Sequence, residues 1–277
     1  MNPYLYNPAF AGIDGHTVIF LMHRQQWVGI EGAPQYSHVV FHTPLKNSLA
    51  IGGEITSDRQ GPLVDNSFRV TGGYLLPIDR KHYLRFGLSL GAGNNAIDLD
   101  AIDPTDPALV NLLENSFYMR SDFGVTYHFG RFNAGFSLPS LLGHSVLSET
   151  SLSPIRVTPI DNILFKANYR QSFIDDNLAW EPHILYRYTS VGRSQYEVTN
   201  IFHIKHLVWT GVSYRQDAGL VGLVGIKIAE RFALGYAYDL PASDLGQFST
   251  GSHEIHLGLH LGTKKEHAEH VSSFIKS

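Results

Sequence analysis

A two-residue rhythm runs through this chain from end to end and limits what it can fold into. Phe232, Leu234, Tyr236, Tyr238 and Leu240 alternate with Arg231, Ala233, Gly235, Ala237 and Asp239. Ile255, Leu257, Leu259 and Leu261 alternate with Glu254, His256, Gly258 and His260. Leu84, Phe86, Leu88 and Leu90 are set against Arg85, Gly87, Ser89 and Gly91 in the same way. So are Ile163, Phe165, Ala167 and Tyr169 against Leu164, Lys166, Asn168 and Arg170. One face of each segment is aliphatic and aromatic, and the other is charged, small or amide. Residues two apart share a face in a strand and not in a helix, so the pattern specifies strands.

About fourteen such segments are expected, each near the ten residues that a tilted membrane-crossing strand needs. They fall at 15–26, 34–43, 48–57, 66–76, 82–92, 118–128, 131–139, 161–171, 178–189, 195–205, 207–215, 219–227, 231–239 and 253–261. Pro182 lies inside the ninth, removes a ladder hydrogen bond and is expected to mark a bulge. No apolar run approaches the roughly 20 residues of a spanning helix. The longest, Ala218 to Ile226, stops at Lys227. Mean hydropathy near zero does not exclude a membrane, because alternating strands escape hydropathy windows.

The connectors sort by length. Walking from strand to strand, one side receives Thr43 to Asn47, Pro77 to Lys81, Gly130, Ser172 to Asn177, His206 and Ala229-Glu230, all short. The other receives Trp27 to Ala33, Ser57 to Asp65, Asn94 to Asn115, Pro139 to Ile160, Ser190 to Ser194, Gln216 to Gly219 and Pro241 to Gly251. Short turns on one rim and long loops on the other are the layout of bacterial outer-membrane barrels, the short rim being periplasmic. Aromatic residues near strand ends, such as Trp27, Tyr74, Trp180 and Tyr214, suit the two membrane interfaces.

Chemistry is poorly represented. The 277 residues include no cysteine, which removes disulfides, thiolate zinc sites and a thiol nucleophile. A formal charge of −4 offers no field for nucleic acid. His256 and His260 share a face but are separated by about 13 Å of strand, too far to hold one ion without help. His267 and His270 lie in a polar tail with no further ligand specified. Gly91 to Ala96 lacks the end of a phosphate loop, and there is no Gly-x-Ser-x-Gly elbow. No catalytic residue, cofactor or metal is expected. Arg85, Arg120, Asp122, Lys166, Arg170, Glu181, Arg187 and Glu254 are expected instead to form a cross-strand charge network in a polar lumen.

The N-terminal stretch is more specific. It reads Asn7-Pro8-Ala9-Phe10-Ala11-Gly12, then a first strand, then Arg24-Gln25-Gln26-Trp27-Val28-Gly29 and Gly32-Ala33-Pro34. This combination closely resembles the start of the PorP/SprF family, outer-membrane proteins associated with the type IX secretion system of Bacteroidetes. Lys46-Asn47, Gly61-Pro62-Leu63 and His253-Glu254-Ile255 extend the resemblance over nearly the whole chain. Loop asymmetry, strand number and this resemblance together turn the apolar face outward, toward lipid.

The expected organisation is an all-β transmembrane antiparallel barrel over 14–262, preceded by a periplasmic segment 1–13 that can lie in the lumen and followed by a polar tail at 263–277. Both termini would be periplasmic. Met1-Asn2-Pro3 has neither the basic nor the apolar region of a signal peptide and reads as a processed start. The resemblance implies a barrel that pairs with an exported protein bearing a type IX C-terminal domain and holds it at the cell surface, sometimes as a gliding adhesin. Other type IX components, periplasmic ones included, and the lipopolysaccharide-bearing bilayer are the further partners. Asn7, Pro8, Ala9, Gly12, Arg24, Gln25, Gln26, Trp27, Gly29, Gly32 and Pro34 carry the match and are the family-motif and partner-interface candidates. Leu109, Val110, Leu112, Leu113, Leu141, Leu142, Val146 and Leu152 are loop interface candidates, since long loops do not need apolar residues to close a hairpin. The alternatives are a transporter or porin for small solutes and a membrane lipase or acyltransferase.

Overall fold

The computed structural model describes residues 2–98, 116–141, 161–173, 177–190, 192–216, 219–229, 231–241 and 248–262. They form fifteen strand segments: β1 (Thr17–Gln25), β2 (Gln35–Pro44), β3 (Leu49–Gln60), β4 (Leu63–Pro77), β5 (His82–Ile97), β6 (Ser116–Phe129), β7 (Phe132–Leu138), β8 (Asn162–Tyr169), β9 (Gln171–Phe173), β10 (Leu178–Thr189), β11 (Gln195–Ile204), β12 (Val208–Arg215), β13 (Gly219–Ile228), β14 (Phe232–Asp239) and β15 (Ser252–Leu261). Every pairing is antiparallel, β15 returns to β1, and β10 pairs with β11, so the sheet closes on itself. Both β8 and β9 pair with β10, Asn168 opposite His183 and Gln171 opposite Trp180. They occupy one position in the ring, which makes an all-β, fourteen-stranded closed antiparallel barrel.

Two local expectations are corrected. Pro182 makes no bulge: the β10 register resumes in step on both sides of it, with Asn200 of β11 still opposite. The missing N–H interrupts the ladder on the other side, where the predicted eighth strand splits at Arg170. The predicted loop at 57–65 is not a loop either. Strands β3 and β4 stay paired up to Gln60 opposite Leu63 and turn through Gly61-Pro62 alone, with Gly61 at φ +60°. On the outer face the apolar belt ends at Ser57 and Asn66, while Asp58 and Asp65 face the lumen cavity, and the ladder continues past both. Strand β5 likewise runs on to Ile97.

The alternation resolves as a lipid-facing exterior. Ile255 and Leu257 are 53% and 42% exposed, whereas His256 between them is 7% exposed. Arg69, Arg85, Asp122 and Lys166 are all buried on the inner face. At the short-turn end the connectors are tight. In the one between β4 and β5, Asp79 Oδ1 accepts from the main-chain N–H of Lys81 at 2.7 Å and of His82 at 2.9 Å. The bond from Lys81, seconded by that from His82, holds its carboxyl below the usual range.

An arginine introduced at Leu257 would stand in hydrocarbon. We expect Leu257→Arg to destabilise the barrel by about 2–4 kcal/mol near the midplane, measured as lost heat-modifiable folded protein. Asn95→Arg, which faces the lumen cavity, should cost little. Equal losses for the two would refute the assignment of faces. His256 is not the tolerant inward position that alternation alone predicts, because it is packed between Phe20 and Trp209 at ring distances of 5.5 and 6.2 Å.

Candidate functional site

The residues before β1 lie inside the barrel, and their side chains explain how. Two single turns, Pro3–Leu5 and Pro8–Phe10, are each started by an asparagine followed by proline. Proline suits a first helical position, where its missing N–H is not needed. Asn7 Oδ1 accepts from Ala9 N at 2.9 Å and so caps its own turn. Its amide nitrogen donates to the carbonyls of Phe136 at 2.9 Å and Val125 at 3.3 Å, on β7 and β6. One side chain therefore both shapes the segment and ties it to the wall.

The wall is recessed to receive it. A Cβ at Gly87 would fall on the Pro8 carbonyl carbon, and one at Gly124 would fall on the Asn7 amide oxygen. At Gly135 it would lie 3.1 Å from Asn7 Nδ2. These three glycines on β5, β6 and β7 form a side-chain-free lane beneath Asn7 and Pro8. Arg85 spans the turn, donating through Nε to Ala9 O at 3.0 Å and through Nη2 to Ala11 O. Tyr4, fully buried, meets Thr71 Oγ1 at 2.6 Å. Ser137 donates to Tyr6 O at 2.7 Å, and Gly12 N donates to His42 Nδ1 at 3.2 Å. Tyr4, Phe10 and Ala11 complete an apolar layer with Val18, Phe20, Val40 and Ala50. Enclosure of Tyr6 pushes its phenol up to about 12, so it stays neutral. The hydrogen-bonding anchors among these lie on β2 to β7, and β1 adds Val18 and Phe20 to the apolar layer.

The other half of the lumen is closed differently. Trp209 lies flat over Gly225, and His256 over Gly235, where a Cβ at either glycine would run into the ring. Phe20 packs beside them. A small cavity sits against this aromatic layer, bordered also by Tyr6, Ser213 and Glu254.

Above both floors is a cavity of about 1240 Å³, with Leu5, Tyr6 and Pro8 at its base. Its wall is laced by ion pairs. Arg24 meets Asp239 at 2.5 Å and Glu254 at 3.4 Å, and Arg215 meets Asp239 at 3.3 Å and Glu197 at 3.0 Å. Arg69 pairs with both Glu54 and Asp122, reaching over Gly91 of β5. Away from this cavity, toward the short-turn end, Glu181 pairs with Arg170 at 3.3 Å and His203 at 3.1 Å. The expected charge network is present in part, as three separate clusters. Arg120, Asp122, Arg170, Glu181 and Glu254 enter ion pairs. Arg85 is instead taken up by the carbonyls of Ala9 and Ala11, Lys166 lies over the Tyr6 ring, and Arg187 has no carboxylate partner among the described residues.

The motif residues divide between the two ends of the lumen. Asn7, Pro8, Ala9 and Gly12 belong to the floor. Arg24 belongs to the ion-pair ring, and Gln25 stands opposite Gln35 and His253 in the ladder. The remaining residues knit the long-connector rim. Gln26 N donates to Pro34 O at 2.9 Å, Trp27 N to Ser252 Oγ at 3.2 Å, and Val28 N to Gly251 O at 2.9 Å. Gly29, at φ +106°, lies close to Phe248, and Gly32 O accepts from Gly61 N at 3.0 Å. Among the loop candidates Leu141 alone is described, its N–H donating to Ser121 O at 2.7 Å. Leu109, Val110, Leu112, Leu113, Leu142, Val146 and Leu152 lie outside the described residues. The receiving glycines, and Arg69 with Glu54, were not singled out from sequence, although Asp122, the second acid on Arg69, was.

The chain was compared with known proteins. The model of a family described as "Type IX secretion system membrane protein PorP/SprF" matches residues 1–259. No curated protein matches the sequence. Among solved structures, the CymD monoaromatic hydrocarbon channel is similar at a TM-score of 0.57 and 12% identity, covering 95% of this chain and 94% of its own. The Acinetobacter baumannii outer membrane protein Omp33 is similar at 0.56 and 9%, covering 90% of this chain and 100% of its own. A TodX mutant hydrocarbon channel is similar at 0.50 and 9%, with 92% of both chains covered. At these identities the likeness is one of fold.

Proposed function

Because the chain belongs to the PorP/SprF family of type IX secretion system membrane proteins, an outer-membrane family and not one of enzymes, we propose that this barrel binds an exported protein bearing a type IX C-terminal domain and anchors it at the cell surface. In this reading the long-connector rim faces outward, both termini are periplasmic, and other type IX components engage the short-turn face. The observation that carries it is the blind lumen. The N-terminal segment is fixed to the wall by Asn7, Arg85, Tyr4 and Ser137, so the cavity above it is a socket and not a duct. A porin keeps a water-filled lumen instead. Trp27, Val28 and Gly32 tie neighbouring connectors together at the socket's rim, which suits a surface that must keep its shape under load.

The long connectors test this directly. Shortening 99–115 and 142–160 together should release the retained protein from the cell surface while the barrel stays folded and inserted. Cell-surface proteolysis and heat-modifiable mobility would report the two quantities. Unchanged retention accompanied by increased solute permeability would instead make these connectors a lid over a channel. Cysteines placed in 99–115 should label on intact cells, and silence there until the outer membrane is broken would reverse the orientation.

A further inference from the structure

The barrel wall is uneven at the long-connector rim. Strand β6 pairs with β5 as far as Asn95 opposite Ser116, but β6 and β7 part after Phe123 opposite Leu138. Residues 116–122 of β6 therefore outrun β7, with Leu141 beside Ser121 as the last contact. Main-chain groups alternate sides along a strand. The Ser121 carbonyl faces the β7 side, so those of Phe117 and Met119 do too, and they meet no partner among the described residues. A paired strand that ends in an open edge offers a template for another strand.

The surroundings say what would fit. Outward, Ser57, Asn66 and Asn94 form a polar row across β3, β4 and β5 that ends at Phe117. This row is the upper limit of the apolar belt, where aromatic side chains settle. One row lower, Ile55, Phe68 and Ala92 lead to Met119. Phe117 and Met119 are 72% and 56% exposed. Inward, Arg120 is 3.6 Å from Asp122, which Arg69 already engages, and Arg187 faces the same cavity with no carboxylate partner among the described residues.

We propose that the open edge of β6 at Phe117 and Met119 is a strand-addition site for an extended segment of the exported partner. This rests on the anchoring function proposed above. The segment carries apolar residues outward, beside Phe117 and Met119, and a carboxylate inward, beside Arg120. Strand addition explains how a closed barrel grips a partner firmly: main-chain hydrogen bonds give strength and the alternating side chains give register.

Cross-linking tests it in intact cells. With p-benzoylphenylalanine in place of Phe117, irradiation should join the barrel to an exported surface protein through a peptide of alternating apolar and polar residues. Adducts confined to residues 142–160 of the same chain, or to lipid, would overturn the proposal. Met119→Pro removes one N–H on the open side and leaves the β5 ladder intact, a place where proline is tolerated. It should lower surface retention about tenfold, with heat-modifiable mobility unchanged. If connector shortening releases the partner but Met119→Pro does not, strand addition fails and anchoring stands. If neither releases it, anchoring itself fails.

Discussion

Replacing Gly87 by valine is expected to turn a closed barrel into a conducting one. Gly87 sits on the inner face of β5, opposite Gly124 of β6, and a Cβ there would occupy the space of the Pro8 carbonyl. The collision is with main chain, which cannot swing aside as a long side chain can. Valine suits a strand, so the β4–β5–β6 ladder should form normally. The N-terminal segment then loses its seat, and with it the Asn7 bonds to Val125 and Phe136. Planar-bilayer recordings should show steady open-pore current where the parent barrel shows none, and cells should admit bulky antibiotics. Gly72→Val is the control, since Gly72 points outward into open space. A silent Gly87→Val barrel would mean that the aromatic layer of Trp209, His256 and Phe20 seals the lumen alone.

The largest expected loss of stability follows from Arg69→Leu. The guanidinium lies between Glu54 and Asp122, and all three side chains are at most 6% exposed. Leucine leaves two carboxylates in a low-dielectric wall. His38 Nδ1, 2.9 Å from Glu54, and Arg120, 3.6 Å from Asp122, make up only part of the lost compensation. Removing one side of such a buried arrangement costs about 3–5 kcal/mol. Arg59→Leu breaks a single ion pair with Asp98 at 2.8 Å, but Arg59 is 49% exposed. Solvent screening limits that cost to about 1 kcal/mol or less. Urea midpoints of the detergent-solubilised barrel, read by tryptophan fluorescence, would compare the two. Similar small shifts for both would show that Arg69 is solvated in a way the fold does not suggest.

The strands were legible because lipid on one side and water or protein on the other impose a strict period of two. Tyr236 outside and Asp239 inside follow directly from it. The 57–65 connector was misjudged because the outward apolar residues stop at Ser57 and Asn66, where hydrocarbon ends, and a ladder is free to continue beyond that level. Pro182 was recognised as discordant, but sequence could not say on which side of β10 the ladder would break. The ring formed by Arg24, Asp239, Arg215 and Glu197 was not foreseen: the sequence marks Arg24 as a motif residue and Asp239 as one of a polar face, and singles out neither Arg215 nor Glu197. Their pairing depends on β15 closing against β1, a contact between the two ends of the chain. The floor was the least legible part. A glycine on a strand has several uses, and nothing near Gly87 or Gly124 in sequence points to Asn7.

That distance has a consequence for how the molecule is made. Asn7 is bonded to carbonyls 118 and 129 residues further along the chain, while β1, only seven residues after Phe10, makes half of the seam with β15. Such long-range contacts form late in folding, since loop closure must come first. The start of the chain therefore waits, unseated, until β5, β6 and β7 lie side by side. Seating it then holds that curved half-sheet together from within as the remaining strands arrive. The residues that shut the mature lumen thus also serve the nascent barrel as an internal clamp, and a variant that unseats them should insert slowly as well as leak.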